Sequence, residues 1–157
     1  MSRIHLTTFI AAPVQRVYDL SRSINLHKIS TAHTQEQAID GVMTGLIKEG
    51  ETVTWQAKHL FKQRKFTVKI TSMKMPESFT DEMIEGNFKS FYHQHYFKPT
   101  NNGTIMIDVL NFESPYSLAG KLFNFIFLKQ YKQHLLQKRN EVIKDYAETM
   151  KWKVILN

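Results

Sequence analysis

RIHLTTFIAAPVQRVYDL, residues 3–20, reads in two halves with different periods. Over residues 3–11, Ile4, Leu6 and Thr8 alternate with His5, Thr7 and Phe9, the period of two expected of a half-buried strand. Pro13 ends the alternation. It has no amide hydrogen and its φ is already near the helical value, so it suits the first turn of a helix. Beyond it, Val14, Val17, Tyr18 and Ser21 fall on one helical face. One strand therefore leads, without a linker, into one amphipathic helix.

Working outward, Asn25 is placed to cap a second short helix over residues 26–30. The texture then turns to strands, expected over residues 36–41, 52–60, 65–73, 78–85, 88–98 and 104–112. Turns are read at 49–51, at Pro76, at 86–87 and at 99–103. In 52–60, Val53, Trp55 and Ala57 share a face; in 65–73, Phe66, Val68 and Ile70 do. Consecutive strands joined by short turns predict an antiparallel meander with one wet face. Ser114 as cap and Pro115 at the first position then open a helix expected to reach Met150. At 1.5 Å per residue it would span about 50 Å, with a bend conceivable over 127–132. No repeat, low-complexity tract or linker divides the chain, so residues 1–157 are expected to form a single domain.

This order of elements, with FIAAPVQRVYDL (9–20), INLHK (24–28), GETVTW (50–55), DEMIEG (81–86), FKS (88–90) and the segment 128–140, resembles the SRPBCC superfamily. That group includes the START lipid-transfer domains and the polyketide cyclases. The resemblance covers essentially the whole chain and is to its small bacterial ligand-binding members. It implies an α+β helix-grip fold: a curved antiparallel sheet of about seven strands, two short helices after the first strand, and a long C-terminal helix over the sheet enclosing a pocket. It implies no single chemistry, which has to be argued from the site.

Composition narrows the function classes. The chain has no cysteine, which removes disulfides, thiolate zinc sites and thiol nucleophiles together. The N-terminus is too short and too polar for a signal peptide, and no run approaches the roughly 20 apolar residues that span a bilayer. A cytoplasmic protein is expected. The net charge is +7, but Lys and Arg are scattered, with small clusters only at 62–65 and 138–139. No recognition helix or zinc finger accompanies them, so no nucleic acid partner is expected, while peripheral contact with a membrane stays open. No phosphate-binding glycine loop, nucleophile elbow or His-Glu-x-x-His is present, and no cofactor is expected. Nothing in the sequence bears on oligomeric state.

The sharpest constellation is His93 and His95, which share a strand face with Phe91 and Phe97. Two imidazoles so placed can bond a ligand carbonyl or hydroxyl, lie on a solvated face, or join a third donor such as Asp81 or Asp108 around a metal. No metal is assigned from the sequence. Asp108, and the acidic strand with Asp81, Glu82 and Glu85, can supply a carboxylate–His pair, the minimum for acid–base work. Cross-strand ion pairs on the wet face explain the same residues. His27 and His33 flank the small second helix, which in the superfamily lies near the pocket mouth; solvated loop histidines are the plainer reading. Trp55 is a core aromatic whose indole N–H needs a partner. Leu122, Phe125 and Ile126 sit where apolar residues go nearly all round the helix, so they can line the cavity, join a partner or touch lipid. The cavity candidates are thus His27, His33, Trp55, Phe66, Val68, Phe91, His93, His95, Asp108, Leu122, Phe125 and Ile126. The expected function is binding of a small hydrophobic molecule, leaning away from catalysis. A cyclase-, dehydratase- or hydrolase-type enzyme, or a membrane- or protein-contacting module, are the alternatives.

Overall fold

The computed structural model of the chain describes residues 1–59, 61–115 and 121–157, with side chains for all of these except 121–124. The elements are β1 (Ser2–Ile10), α1 (Val14–Ser21), α2 (Ile24–Ser30), a 3-10 turn (Ala32–Thr34), β2 (Gln37–Gly41), β3 (Thr52–His59), β4 (Lys62–Lys74), β5 (Ser78–Glu85), β6 (Ser90–Thr100), β7 (Gly103–Glu113), α3 (Lys121–Glu148) and α4 (Trp152–Leu156).

The seven strands form one antiparallel sheet in the order β1-β7-β6-β5-β4-β3-β2. From β2 to β7 it is a meander, and β1 closes it by pairing with the last strand. The alternation expected of β1 holds: Ile4 and Ile10 are buried, whereas Phe9 on the other face is 47% exposed. The helices α1 and α3 lie against the end of the sheet that carries β1 and β7. Tyr18 of α1 is fully buried, edge-on to Phe79 and Phe97.

Several boundaries differ from those expected, each for a local reason. The cap of α2 is Ser23, whose hydroxyl accepts from the Leu26 amide at 3.2 Å. Asn25 instead accepts a 2.7 Å hydrogen bond from the Gly45 amide, tying α2 to the loop before β3. Strand β6 runs through Pro99 to Thr100, where ladder pairing with Gly103 and Thr104 continues, so only Asn101 and Asn102 make the turn. Helix α3 runs unbroken for 28 residues, about 42 Å, with no interruption at 127–132. Ser114 and Pro115 lie outside it, and residues 116–120, expected to be its first turns, lie outside the described residues, as does Leu60 of the expected third strand.

Gly41 ends β2 at φ +74°, where a Cβ would overlap the Thr52 carbonyl oxygen. Only glycine meets both demands. Among the described residues no helix is long and apolar enough to cross a membrane.

Candidate functional site

Between the inner face of the sheet and helices α2 and α3 lies a cavity of about 250 Å³. This is just below the roughly 300–1,000 Å³ typical of small-molecule sites. Its walls are mostly apolar: Ile24, Ile47, Val53, Trp55, Phe66, Val68, Ile70, Phe79, Phe88, Phe91 and Leu110 from the α2 side and the sheet, and Leu128, Leu135 and Leu136 from α3.

A polar band interrupts this surface. The inward row of β6 runs Phe91, His93, His95, Phe97, and that of β7 runs Met106, Asp108, Leu110, so both strands are apolar at the ends and polar in the middle. On β5, Asp81 follows Phe79 on the same face. The register sets Asp81 opposite His93 and Asp108 opposite His95. The side chains then cross over. His93 Nε2 reaches Asp108 Oδ1 at 3.0 Å, and His95 Nε2 reaches Asp81 Oδ2 at 2.7 Å. The two imidazoles lie 3.8 Å apart, and His95 stacks on Phe79 at 4.1 Å. His95 Nδ1 is only 3.1 Å from Asp108 Oδ1, close enough for an ion pair, yet the direction is poor and this buried nitrogen makes no well-aligned hydrogen bond.

Asp108 is fully buried, which requires compensation. It comes from α3: Asn140 Nδ2 donates to Oδ2 at 2.8 Å and Arg139 Nη1 to Oδ1 at 3.3 Å. Arg139 also donates to the Ser21 carbonyl, and Asn140 to Thr8. Burial alone would raise the Asp108 pKa, but Arg139 and the two histidines hold it well below the usual carboxylate range. Asp81 is likewise lowered against burial, chiefly by its bond from His95. Burial and the neighbouring His95 lower His93, against the pull of Asp108 and Asp81. For His95, burial opposes the charge, but Asp108 and Asp81 outweigh it and raise the pKa. The two rings are thus set apart, His95 holding a proton more readily than His93, and the Arg139 guanidinium offsets part of the charge of the two carboxylates.

A second polar group lines another part of the wall. His27 Nε2 lies 2.8 Å from Glu36 Oε1 while its ring lies against Trp55 at 4.3 Å. His59 Nδ1 lies 2.8 Å from the Tyr131 hydroxyl. Lys132 extends its ammonium over Phe88 at 5.1 Å, and among the described residues no carboxylate lies within ion-pair distance of it. Burial, then Lys132, pushes His59 down to about 4, against the pull of Glu36. Burial and Arg64 lower Lys132, with Glu36 opposing.

Of the twelve cavity candidates, His27, Trp55, Phe66, Val68, Phe91, His93 and His95 line the cavity, and Asp108 stands directly behind the two histidines. His33 is exposed and does not line it. Phe125 and Ile126 are 37% and 50% exposed and do not line it either; among the described side chains of α3, those on the cavity run from Leu128 onward. The side chain of Leu122 lies outside the described residues. Sequence reasoning passed over Glu36, His59, Tyr131, Lys132, Arg139 and Asn140. For the α3 residues a signal existed. Tyr131, Lys132, Leu135, Leu136 and Arg139 continue from Leu128 at helical spacing, so the stripe that faces the sheet carries polar members as well as apolar ones.

No family model matches the chain, and no curated protein does. Solved structures do. A START superfamily protein from Mycobacterium smegmatis superposes with a TM-score of 0.72 at 10% identity, over 94% of this chain and 98% of that one. The chain shares the fold of that structure. A major latex-like protein 151 from Panax ginseng aligns with a TM-score of 0.66 at 14% identity, over 93% and 97% of the two chains. The protein TTHA0849 from Thermus thermophilus gives 0.70 at 17% identity, over 90% and 97%. At such identities the likeness is one of the START fold alone, and the chemistry of the polar band rests on this chain's own residues.

Proposed function

We propose that the protein binds one small, largely apolar molecule in the cavity between the sheet and α3, oriented by the polar band of Asp81, His93 and His95 and by the His27–Glu36 pair. The observation that carries this reading is the distribution of polarity. Aromatic and aliphatic walls surround a space into which a few charged or hydrogen-bonding groups converge at two places. That is how sites for small organic molecules divide affinity from orientation. The START fold of the neighbours supports the same reading at the level of architecture. Trp55, Phe66, Val68 and Phe91 supply contact area, while Asp81, His93 and His95 favour a ligand that carries a polar group at one end.

Native mass spectrometry of protein purified from its own host tests this. The expected spectrum shows one apolar molecule per chain, released on denaturation, and less of it in the His93→Ala/His95→Ala variant. Protein that emerges empty, and whose Trp55 fluorescence is unmoved by fatty acids, isoprenoids or aromatic polyketides, would overturn the reading.

A further inference from the structure

The crossed pairing of the polar band has a geometry that a carrier of apolar molecules does not need. Asp108 Oδ1 lies 3.0 Å from His93 Nε2 and 3.1 Å from His95 Nδ1, so one carboxylate oxygen faces one nitrogen of each ring. The other nitrogens, His93 Nδ1 and His95 Nε2, both face Asp81 Oδ2, at 3.9 and 2.7 Å. Asp81, His93 and His95 each offer one donor atom within 4.8 Å of the others. A tetrahedral ion with imidazole and carboxylate ligands at 2.0–2.2 Å keeps its donors roughly 3.3–3.6 Å apart. The two Asp81 distances, 3.9 and 2.7 Å, bracket that spacing, so the donors converge on one point.

We propose that Asp81 Oδ2, His93 Nδ1 and His95 Nε2 form a site for one divalent late first-row transition metal ion, with its remaining coordination position open to the cavity. Two imidazoles and one carboxylate are the donor set such ions prefer over magnesium or calcium. The surrounding groups fit. Histidine ligands of metals characteristically bond a carboxylate through their second nitrogen, and Asp108 stands there for both rings, itself fixed by Asn140 and Arg139. The poorly aligned His95 Nδ1, on a residue 2% exposed, gains a use: its N–H turns toward Asp108 once Nε2 is on the ion. Binding releases to solvent the proton that His95 Nε2 shares with Asp81. A dication with both imidazoles neutral leaves one positive charge in excess of Asp81 and Asp108 with Arg139. An anionic oxygen of a bound molecule is the chemistry that cancels it.

The test uses untagged protein stripped with a chelator and titrated with Co2+ and then Zn2+. One Co2+ per chain, with visible d–d bands that Zn2+ erases, is expected. His93→Ala/His95→Ala should weaken binding at least about 100-fold and Asp108→Asn about 10–100-fold, while His33→Gln/His134→Gln leaves it unchanged. Should the double variant fail to fold, histidine 15N shifts of the unmodified protein decide the matter. On adding Zn2+, Nδ1 of His93 and Nε2 of His95 must move and the nitrogens of His27 and His59 must not. No stoichiometric binding, or binding through other nitrogens, overturns the proposal. It stands apart from the apolar-ligand reading, since ligand can be measured in chelator and metal in ligand-free protein.

Discussion

Asn140 of α3 and Asp108 of β7 meet through a 2.8 Å hydrogen bond, Nδ2 to Oδ2, with 3% and 0% of their surfaces exposed. The long helix is thus fastened to the sheet at a buried carboxylate as well as by apolar packing. Asp108→Ala leaves the Arg139 guanidinium buried without its carboxylate, and the expected loss is about 3–5 kcal/mol. Asn140→Ala removes one donor and should cost about 1–3 kcal/mol. Urea denaturation measures both. A loss under about 1 kcal/mol for Asp108→Ala would show that water readily replaces the carboxylate.

Tyr18 joins α1 to the far side of the core. Its hydroxyl donates to the Ser78 carbonyl at 3.2 Å. Tyr18→Phe should cost about 0.5–1.5 kcal/mol, and Tyr18→Ala about 3–5 kcal/mol. Burial raises this phenol to about 12, helped by Asp19 and Glu49 and opposed by Arg22. Since the unfolded phenol titrates near 10, the contribution is complete below pH 10 and fades as the pH rises through 12. Tyr18→Phe should flatten the alkaline limb of the stability curve. An unchanged limb would place the effect in other groups.

His59 predicts the opposite slope. Its pKa is depressed to about 4, so the folded protein holds it neutral while the unfolded chain takes up a proton near 6.5. Its contribution is complete above pH 6.5 and lost as the pH falls toward 4. Stability of the parent relative to His59→Gln should therefore decline across that window. A difference that stays constant between pH 7 and 4.5 would mean that His59 is solvated in both states.

Gly41 and Gly45 have similar φ values, +74° and +80°, but different surroundings. A methyl group at Gly45 meets nothing within 4 Å, whereas at Gly41 it overlaps the Thr52 carbonyl. Gly45→Ala should cost only the left-handed strain, about 1–2 kcal/mol, and Gly41→Ala clearly more. Equal losses in thermal melts would mean that β2 shifts freely against β3.

The architecture was legible because its signals are periodic. Val53, Trp55 and Ala57, or Phe91, His93, His95 and Phe97, declare a shared face by spacing alone, and the structure turns those faces inward. The cavity walls on the strands followed from the same rule. What periodicity does not carry is which strand neighbours which and how long side chains lean. The pairing of Asp81 with His95 and of Asp108 with His93 is diagonal, and it depends on register between strands. Asn25 and Ser23 were both competent caps, and the choice was made by the Gly45 amide, far along the chain. On α3 the apolar run at Leu122, Phe125 and Ile126 has the look of a cavity wall, although Phe125 and Ile126 are exposed. Among the described side chains the cavity-facing stripe runs from Leu128 onward, and its polar members Lys132 and Arg139 look like surface residues until the sheet opposite them is known.

The pairing of β1 with β7 has a consequence for how the chain is made. Ser2 lies opposite Phe112 and Ile10 opposite Thr104, so the first strand finds its place only after about a hundred further residues exist. The hairpins from β3 to β7 can close as they emerge, because each strand's neighbour has just been synthesised. The segment carrying Ile4, Leu6, Ile10, Val17 and Tyr18 must wait, with its apolar face uncovered, until β7 has been made. Hydrogen-exchange pulse labelling during refolding should accordingly find the β5–β6 and β6–β7 amides protected before those of β1. A segment made before the rest of the sheet is then the last to settle, and the interval in which it is exposed to aggregation or to a chaperone is set by the synthesis of the strands up to β7.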